Sequence, residues 1–299
     1  MDENSSGIIE QCLEIKKINM KDASHFAVYK RDNIKYLVSL TNKGKVILSN
    51  NIATYSLKHF LMKILLRFIP FRILKGVGLG DFVSVHLHEG VSKIIQRNNK
   101  HYWNVIFGTY DEKQKLVIQA YDDSELLPIY IKVGNDATNA EMRSEMQFLE
   151  QKNIFATFKV PELIETSYLN TDCPFNIQVT KEFSGKKMSL ELTQDIVDIY
   201  YETSSINSVG KYEFSHGDFA PWNLKKNKKG YVVYDWEHCG MRIKGFDILH
   251  YVVMPKILLK KMTVIDSVKE GIKEIQNYIP GFEVNEEKFI DELKKLHFV

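Results

Sequence analysis

Ser215-His216-Gly217-Asp218-Phe219-Ala220-Pro221-Trp222-Asn223-Leu224 places an Asp and an Asn five positions apart in a short loop interrupted by proline. Twelve residues after Asn223, Tyr234-Asp235-Trp236-Glu237 sets a second acid at the end of an apolar run. An isolated Asp and Asn in a loop usually make nothing more than an Asx turn. Here the His-Gly-Asp triplet, the spacing, the proline and the following Asp-Trp-Glu occur together. An acid able to accept a hydroxyl proton, then an amide and a carboxylate able to hold Mg²⁺, is the equipment of phosphoryl transfer. Asp218 is the expected catalytic residue, orienting an acceptor hydroxyl and taking its proton. Asn223 and Asp235 are the expected metal ligands.

Working outward, Pro128-Ile129-Tyr130-Ile131-Lys132-Val133 carries one lysine in an apolar run. On strand alternation Lys132 shares a face with Tyr130. Such a lysine either snorkels at a sheet edge or points at an anion, and beside the acidic loop the second reading gives it the nucleotide phosphates. Residues 138–152 show helical spacing, with Met142, Met146 and Leu149 in one stripe. Glu145 falls within that stripe, while Glu141 and Glu150 lie toward its flanks. An acid on an apolar face needs a partner to offset its desolvation, so Glu145 is expected to pair with Lys132. The turn Phe107-Gly108-Thr109-Tyr110-Asp111-Glu112-Lys113-Gln114-Lys115 would lie over the phosphates, with Gly108, Thr109 and Lys115 as contacts.

Three strand-like runs precede the helix: Trp103 to Phe107, Lys115 to Tyr121 and Pro128 to Val133. Their β-branched and aromatic content predicts an antiparallel meander, and Phe175 to Phe183 predicts a further strand. The last fifty residues read as two or three amphipathic helices. Near the start, Tyr36 to Leu40 and Lys45 to Leu48 flank Asn42-Lys43-Gly44, which predicts a hairpin. Gly76-Val77-Gly78-Leu79-Gly80 invites a phosphate-loop reading, but Asp81 stands where a further glycine is needed, so a turn is expected.

Bulk properties bound the rest. At 299 residues the chain has room for about two domains. Its net charge of +2, from 40 basic and 38 acidic residues, gives no support for a nucleic-acid binder. Lys225-Lys226-Asn227-Lys228-Lys229 is therefore expected to be a solvated hairpin tip. Cys12, Cys173 and Cys239 are odd in number and widely spaced, which fits free thiols and a cytoplasmic location. The polar, acidic start is no signal peptide, and no apolar run is long enough to span a membrane. Leu57 to Leu74 is strongly apolar, carries Lys58, Lys63, Arg67 and Arg72, and is broken by Pro70. Two readings stay open for it: a helix packed on the protein, or peripheral membrane contact.

The motifs resemble those of the aminoglycoside phosphotransferase and choline kinase superfamily, the small-molecule branch of the protein-kinase-like fold. His216-Gly217-Asp218 with Asn223 is similar to its catalytic loop, and Asp235-Trp236-Glu237 to its metal-binding segment. The wording His-Gly-Asp-Phe-Ala-Pro-Trp-Asn is similar to that of bacterial members associated with surface-polysaccharide loci. The resemblance covers about 102–255 and implies an α+β, two-lobe architecture with an antiparallel-sheet N-lobe and a mostly helical C-lobe. It implies ATP and Mg²⁺ as cofactors and transfer of the γ-phosphate to a hydroxyl of a small molecule or saccharide. By the same resemblance His216 is structural, and Asp247, in Gly245-Phe246-Asp247-Ile248-Leu249, buttresses the catalytic loop. His238 and His250 read as satisfied surface or core groups. Glu237 reads either as a support for the metal through water or as a hydrogen-bonding brace.

The expected organisation is an N-terminal extension over 1–100 with a small hairpin and a basic amphipathic helix, an N-lobe over 101–184 and a C-lobe over 185–299. One departure from the family pattern stands out. About thirty residues separate Gly185 from His216, too few for the usual helices, so no acceptor class carries over. A catalytically inactive nucleotide-binding or scaffold module is the alternative. The presence of Lys132, Glu145, Asp218, Asn223 and Asp235 together favours the enzyme.

Overall fold

The computed structural model of the chain describes residues 8–30, 33–52, 55, 57–108, 114–124, 127–151, 155–168, 173–182 and 185–299. In chain order the elements begin with α1 (Ile8–Cys12), β1 (Leu13–Lys17), β2 (His25–Lys30), β3 (Asn33–Ser39), α2 (Asn42–Asn51), α3 (Leu57–Phe68), α4 (Phe71–Gly76), β4 (Gly80–Leu87) and α5 (Glu89–Arg97). There follow β5 (Tyr102–Phe107), β6 (Leu116–Tyr121), β7 (Ile129–Gly134), α6 (Asn139–Glu150), β8 (Phe158–Lys159), β9 (Leu163–Ser167) and β10 (Asn176–Lys181). The remainder is β11 (Lys186–Lys187), α7 (Gln194–Ser204), β12 (Ser208–Val209), β13 (Tyr212–Ser215), β14 (Leu224–Asn227), β15 (Gly230–Val233), β16 (Gly240–Ile243), α8 (Phe246–Leu258), α9 (Val264–Gln276) and α10 (Glu286–Lys295).

These elements form two compact units. The first comprises 1–142 and 162–182, the second 143–161 and 183–299. The α+β class read from the sequence holds, with a large antiparallel sheet in the first unit and most of the packed helices of the second toward the C-terminus.

The first unit is built on nine strands in the order β1-β4-β2-β3-β5-β6-β7-β10-β9. Every neighbouring pair is antiparallel. Residues 1–100 and 101–184 therefore contribute to one sheet, joined where Tyr36 and Leu37 of β3 pair with Ile106 and Val105 of β5. Strand alternation divides the apolar side chains between two clusters. Ala27, Leu37, Val105, Ile118, Ile131, Val133 and Ile177 pack with Val91, Ile94 and Ile95 of α5. Phe26, Val28, Val38 and Phe82 pack with Leu48, Leu66 and Leu74 of α2, α3 and α4.

One expectation is corrected here. Lys45 to Leu48 is not the second arm of a hairpin but lies within α2. Thr41 caps that helix, its hydroxyl accepting the Gly44 N–H at 3.0 Å, as an N-cap threonine should. The strand position beside β3 is taken by β5, which leaves no ladder for 45–48 to join. Burying Leu48 in the α2–α4 cluster is the alternative that the tertiary structure offers. The hairpin in this region is β2–β3, with His25 opposite Ser39. The break expected at Pro70 is present, since Pro70 caps α4, and Gly78 turns with φ +74° before β4.

In the second unit α8 is buried along most of its length, from Phe246 to Lys256, as befits a helix apolar all round. It packs against α7 and α9. Gly271 of α9 permits the close approach, because a Cβ there would meet Val252, Leu249 and Val253 at 3.0–3.1 Å. Two small sheets complete the unit: β11-β14-β15-β8, and β12-β13-β16. The lysine-rich segment forms a hairpin, with β14 and β15 paired from Leu224–Val233 to Asn227–Gly230, but it is not all solvated tip: Lys225 and Lys226 lie on β14, beside β11, and Lys225 is buried. Of the stretch 186–207, only 194–204 is helical. No helix among the described residues is long and apolar enough to cross a membrane.

Candidate active site

The loop after β13 is held from beneath by Asp247, in the first turn of α8. Its Oδ1 accepts the Ser215 hydroxyl at 2.6 Å and the Gly217 N–H at 3.1 Å, and its Oδ2 accepts the His216 N–H at 2.7 Å. One carboxylate thus satisfies three donors in consecutive residues. It sits in a buried setting that raises its pKa to about 6 despite those bonds. Gly217 adopts φ +85°, and a Cβ on it would lie 2.1 Å from the His238 carbonyl oxygen. Only glycine fits this position, on grounds of both backbone and space.

Asp218 follows, 17% exposed at its side chain. Asn223, at the end of a one-turn 3-10 helix begun by Pro221, donates its Nδ2 to the Asp218 carboxylate at 2.8 Å and to the Asp218 carbonyl at 2.9 Å. The five-residue spacing is what lets one amide close the loop on both groups. Its Nδ2 being so used, Oδ1 is the remaining acceptor of the Asn223 amide. The Asp218 N–H donates to His216 Nδ1 at 3.2 Å, which places the ring proton on Nε2, facing the Tyr234 carbonyl at 3.2 Å. His216 is therefore a structural tie between the loop and the end of β15. Burial raises the Asp218 pKa well above the usual carboxylate range, and the charges of Asp235 and Glu237 add to this.

Asp235 is in the left-handed conformation, φ 73° and ψ 56°, which an aspartate tolerates better than most residues. Carboxylate oxygens of Asp235, Glu237 and Glu145 all lie within 4.8 Å of one another. Glu145 also accepts the Trp236 N–H at 3.2 Å, and Trp236 is buried against Phe148, ring centroids 4.2 Å apart. Three acids so close repel one another unless a cation or protons intervene. The three carboxylates form an all-oxygen group of the kind that suits Mg²⁺. The smaller, charge-derived part of the Asp218 shift has the same origin, and a divalent cation would offset that part.

The first unit carries the other expected site residues. Lys132 lies on β7, opposite Val117 of β6 and Gln178 of β10. It is thus central in the sheet, and the edge reading does not apply. Ile129, Ile131 and Val133 point into the core, which puts Lys132 and Tyr130 on the opposite face. Lys115 forms an ion pair with Glu141 at 2.7 Å, both largely shielded from solvent, a pairing not anticipated from the spacing. Gly108 closes the β5–β6 hairpin by donating to the Lys115 carbonyl at 2.9 Å. Thr109 lies outside the described residues. The expected Met142, Met146 and Leu149 stripe of α6 is buried, with Glu145 among it.

One residue at the site was misjudged from sequence. His250, read as a satisfied group, is fully buried, with Nδ1 3.1 Å from the Phe219 carbonyl and Nε2 3.7 Å from Asp218 Oδ1. Its position three residues after Asp247, nearly one helical turn, was the available signal. Lys187, from the unexplained stretch after Gly185, donates to the Trp222 carbonyl and the Tyr234 hydroxyl. Tyr234 in turn donates to the Trp222 carbonyl at 2.6 Å.

Comparison with protein-family models and with curated protein sequences gave no match. Among solved structures the chain is similar to an aminoglycoside-3'-phosphotransferase of type VIII, at 11% identity and TM-score 0.49 over 72% of this chain and 100% of the other. It is similar to an amicoumacin kinase in complex with AMP-PNP and Ca²⁺, at 13% identity and TM-score 0.41 over 71% and 84%. A choline kinase from Cryptosporidium parvum matches at 12% identity and TM-score 0.34 over 55% and 68%. These are what the chain is similar to, and no superfamily, activity or substrate is carried over from them.

Proposed function

We propose that the chain is an ATP- and Mg²⁺-dependent phosphotransferase that moves the γ-phosphate to a hydroxyl of a small molecule or saccharide. The observation that supports this most is the double hydrogen bond from Asn223 to Asp218 in a loop tied down by Asp247. A loose phosphoryl-transfer transition state asks the protein mainly for positioning and charge neutralisation. A carboxylate held at a fixed angle, partly open to solvent, supplies the positioning. Asp218 would orient the acceptor hydroxyl and accept its proton as transfer proceeds. Asn223 Oδ1 and Asp235 would hold Mg²⁺, with Glu237 and Glu145 beside them; bound Mg²⁺ supplies neutralisation of the phosphate oxygens. Lys132, Gly108, Thr109 and Lys115 are assigned to the nucleotide phosphates.

The test is ATP consumption by the full chain against amino sugars, nucleoside sugars, choline-like alcohols and lipid-linked saccharides. Acceptor-dependent turnover that disappears in Asp218→Asn is expected. Thermal-shift titration with Mg²⁺·ATP that shows no binding, together with no turnover on any acceptor, would overturn the reading.

A further inference from the structure

Helix α3 is apolar on two sides. Leu66 is buried in the cluster formed with α2 and α4, and Met62, Leu65 and Ile69 pack against it. Leu57, Phe60, Leu61, Ile64 and Phe68 nevertheless face outward, with Leu57 73% and Phe68 68% exposed. Their spacing of i, i+3, i+4, i+7 and i+11 places all five within a sector of roughly 100° on a 3.6-residue helix. Ile73 and Val77, on and just after α4, extend the exposed apolar surface. Contiguous apolar surface of this kind marks a place of contact with a protein or a membrane.

The charges along this stretch are basic, and Asp81 just beyond it is paired with Lys17 at 3.0 Å and Lys75 at 3.5 Å. From Leu57 to Gly80 the chain has five basic residues, Lys58, Lys63, Arg67, Arg72 and Lys75, and no acid. At 100° per residue Lys63 and Arg67 flank the exposed apolar sector. Beside α4 a groove of about 570 Å³ is lined by Asn19, Met20, Lys21, Arg72, Lys75 and Phe82. Lys21 and Arg72, with Lys75 shared with Asp81 at 3.5 Å, suit a phosphate-bearing headgroup. A twelve-residue α3 is only about 18 Å long, too short to span a bilayer but suited to lying along one.

We propose that this face is a docking surface for anionic phospholipid membrane, with the α3 ridge seated at the headgroup–acyl boundary and the groove beside α4 receiving a lipid phosphate. Charge decides between this occupant and a second copy of the chain. Two copies meeting through this face would oppose Lys63, Arg67 and Arg72 to the same three cations, which is unfavourable, whereas an anionic leaflet attracts them. The inference does not depend on the phosphotransferase reading and stands on the first unit alone.

The test is flotation of the full chain with phosphatidylcholine vesicles and with vesicles containing a third phosphatidylserine, at low and high salt. Binding to the anionic vesicles alone, weakened by salt, is expected. Removing the ridge in L57D/L61D/F68D should abolish it, and L57A/L61A/F68A should weaken it less. Replacing Lys21 and Arg72 by alanine should lower partitioning by roughly fivefold for each cation removed. All substituted apolar residues are exposed, so circular dichroism and melting of the variants should match the parent. Absence of parent binding to anionic vesicles, or full binding by the folded L57D/L61D/F68D variant, would overturn the proposal. So would a concentration-dependent dimer, seen by sedimentation velocity, that disappears in that variant; the face would then be a self-association interface. Lys21/Arg72 variants that retain parent partitioning would overturn the headgroup role of the groove.

Discussion

The side-chain amide of Asn223 donates to both the carboxylate and the carbonyl of Asp218, at 2.8 and 2.9 Å. This explains why the two residues stand five apart: the amide reaches back across one loop and fixes the acid relative to its own backbone. Asn223→Ala should therefore lower the transfer rate by about 10²-fold or more, through loss of both position and a metal ligand. Asp218→Asn should lower it at least as far while Mg²⁺·ATP affinity stays near normal. Because the two act as a unit, the double variant should fall well short of the product of the single effects. Steady-state rates on an identified acceptor, with nucleotide affinity by calorimetry, check all three.

Asp247→Asn keeps the volume of the side chain but replaces one acceptor oxygen by a donor group. That group must face either the His216 N–H or the Ser215 and Gly217 donors, whichever way the amide is turned. An unmade buried bond of this kind costs about 1–3 kcal/mol. Urea unfolding should show that loss, with a drop in turnover and no change in the denaturant slope.

Gly217 and Gly78 both have positive φ, but only Gly217 is crowded. Gly78→Ala should cost about 1 kcal/mol for the backbone conformation alone. Gly217→Ala should cost clearly more, about 3 kcal/mol or above, since its Cβ would collide with the His238 carbonyl. Chemical denaturation of the two variants side by side separates the terms. Equal losses would count against the close approach.

Lys132→Ala should weaken Mg²⁺·ATP binding by about tenfold or lower turnover by more, because Lys132 is central in the sheet on the face away from the core. Glu141→Gln, which removes the partner of Lys115, tests the neighbouring cation. If only the ion pair matters there, stability alone should change. Calorimetric titration and thermal melting distinguish the two results.

The two buried histidines should make the fold less stable on acidification, against the raised carboxylates Asp218, Glu213, Asp247 and Glu292. Burial lowers the pKa of His250 to about 3 and of His25 to about 4, from an ordinary 6.5. The unfolded chain therefore takes up protons at these residues first, and each contributes a loss of about 3 kcal/mol between pH 6.5 and 4. Asp247 acts oppositely. Its raised pKa of about 6 lets the folded state gain a proton first, so stability rises by about 2 kcal/mol as pH falls from 6 to 4. These three groups by themselves leave a net loss of about 4 kcal/mol by pH 4. Urea melts across this range should show it. His250→Asn, which can still donate to the Phe219 carbonyl, should flatten the slope.

Much of the site was legible because its relationships are local. Spacing between Asp218 and Asn223, the glycine before Asp218 and the acid after an apolar strand lie within twenty residues. Backbone geometry at that range leaves few ways to arrange them. The strands Tyr102–Phe107, Leu116–Tyr121 and Ile129–Gly134 were likewise readable, since composition and short connections define a meander. Lys45 to Leu48 was misread because its three apolar residues support either strand or helix, and β5, sixty residues later, already occupied the position beside β3.

Sequence alone thus determined the order of acid, amide and acid, the buried stripe of α6, and the break at Pro70. Tertiary structure decided what those residues meet. It brought Asp247 beneath the loop, set Glu145 among Asp235 and Glu237, paired Lys115 with Glu141 and placed β4 between β1 and β2. It also left one apolar side of α3 facing out. The physical reason is range. Local spacing fixes contacts through the stiffness of the backbone, whereas partners tens of residues apart are chosen by which apolar surfaces and which buried polar groups can be satisfied together in the folded chain.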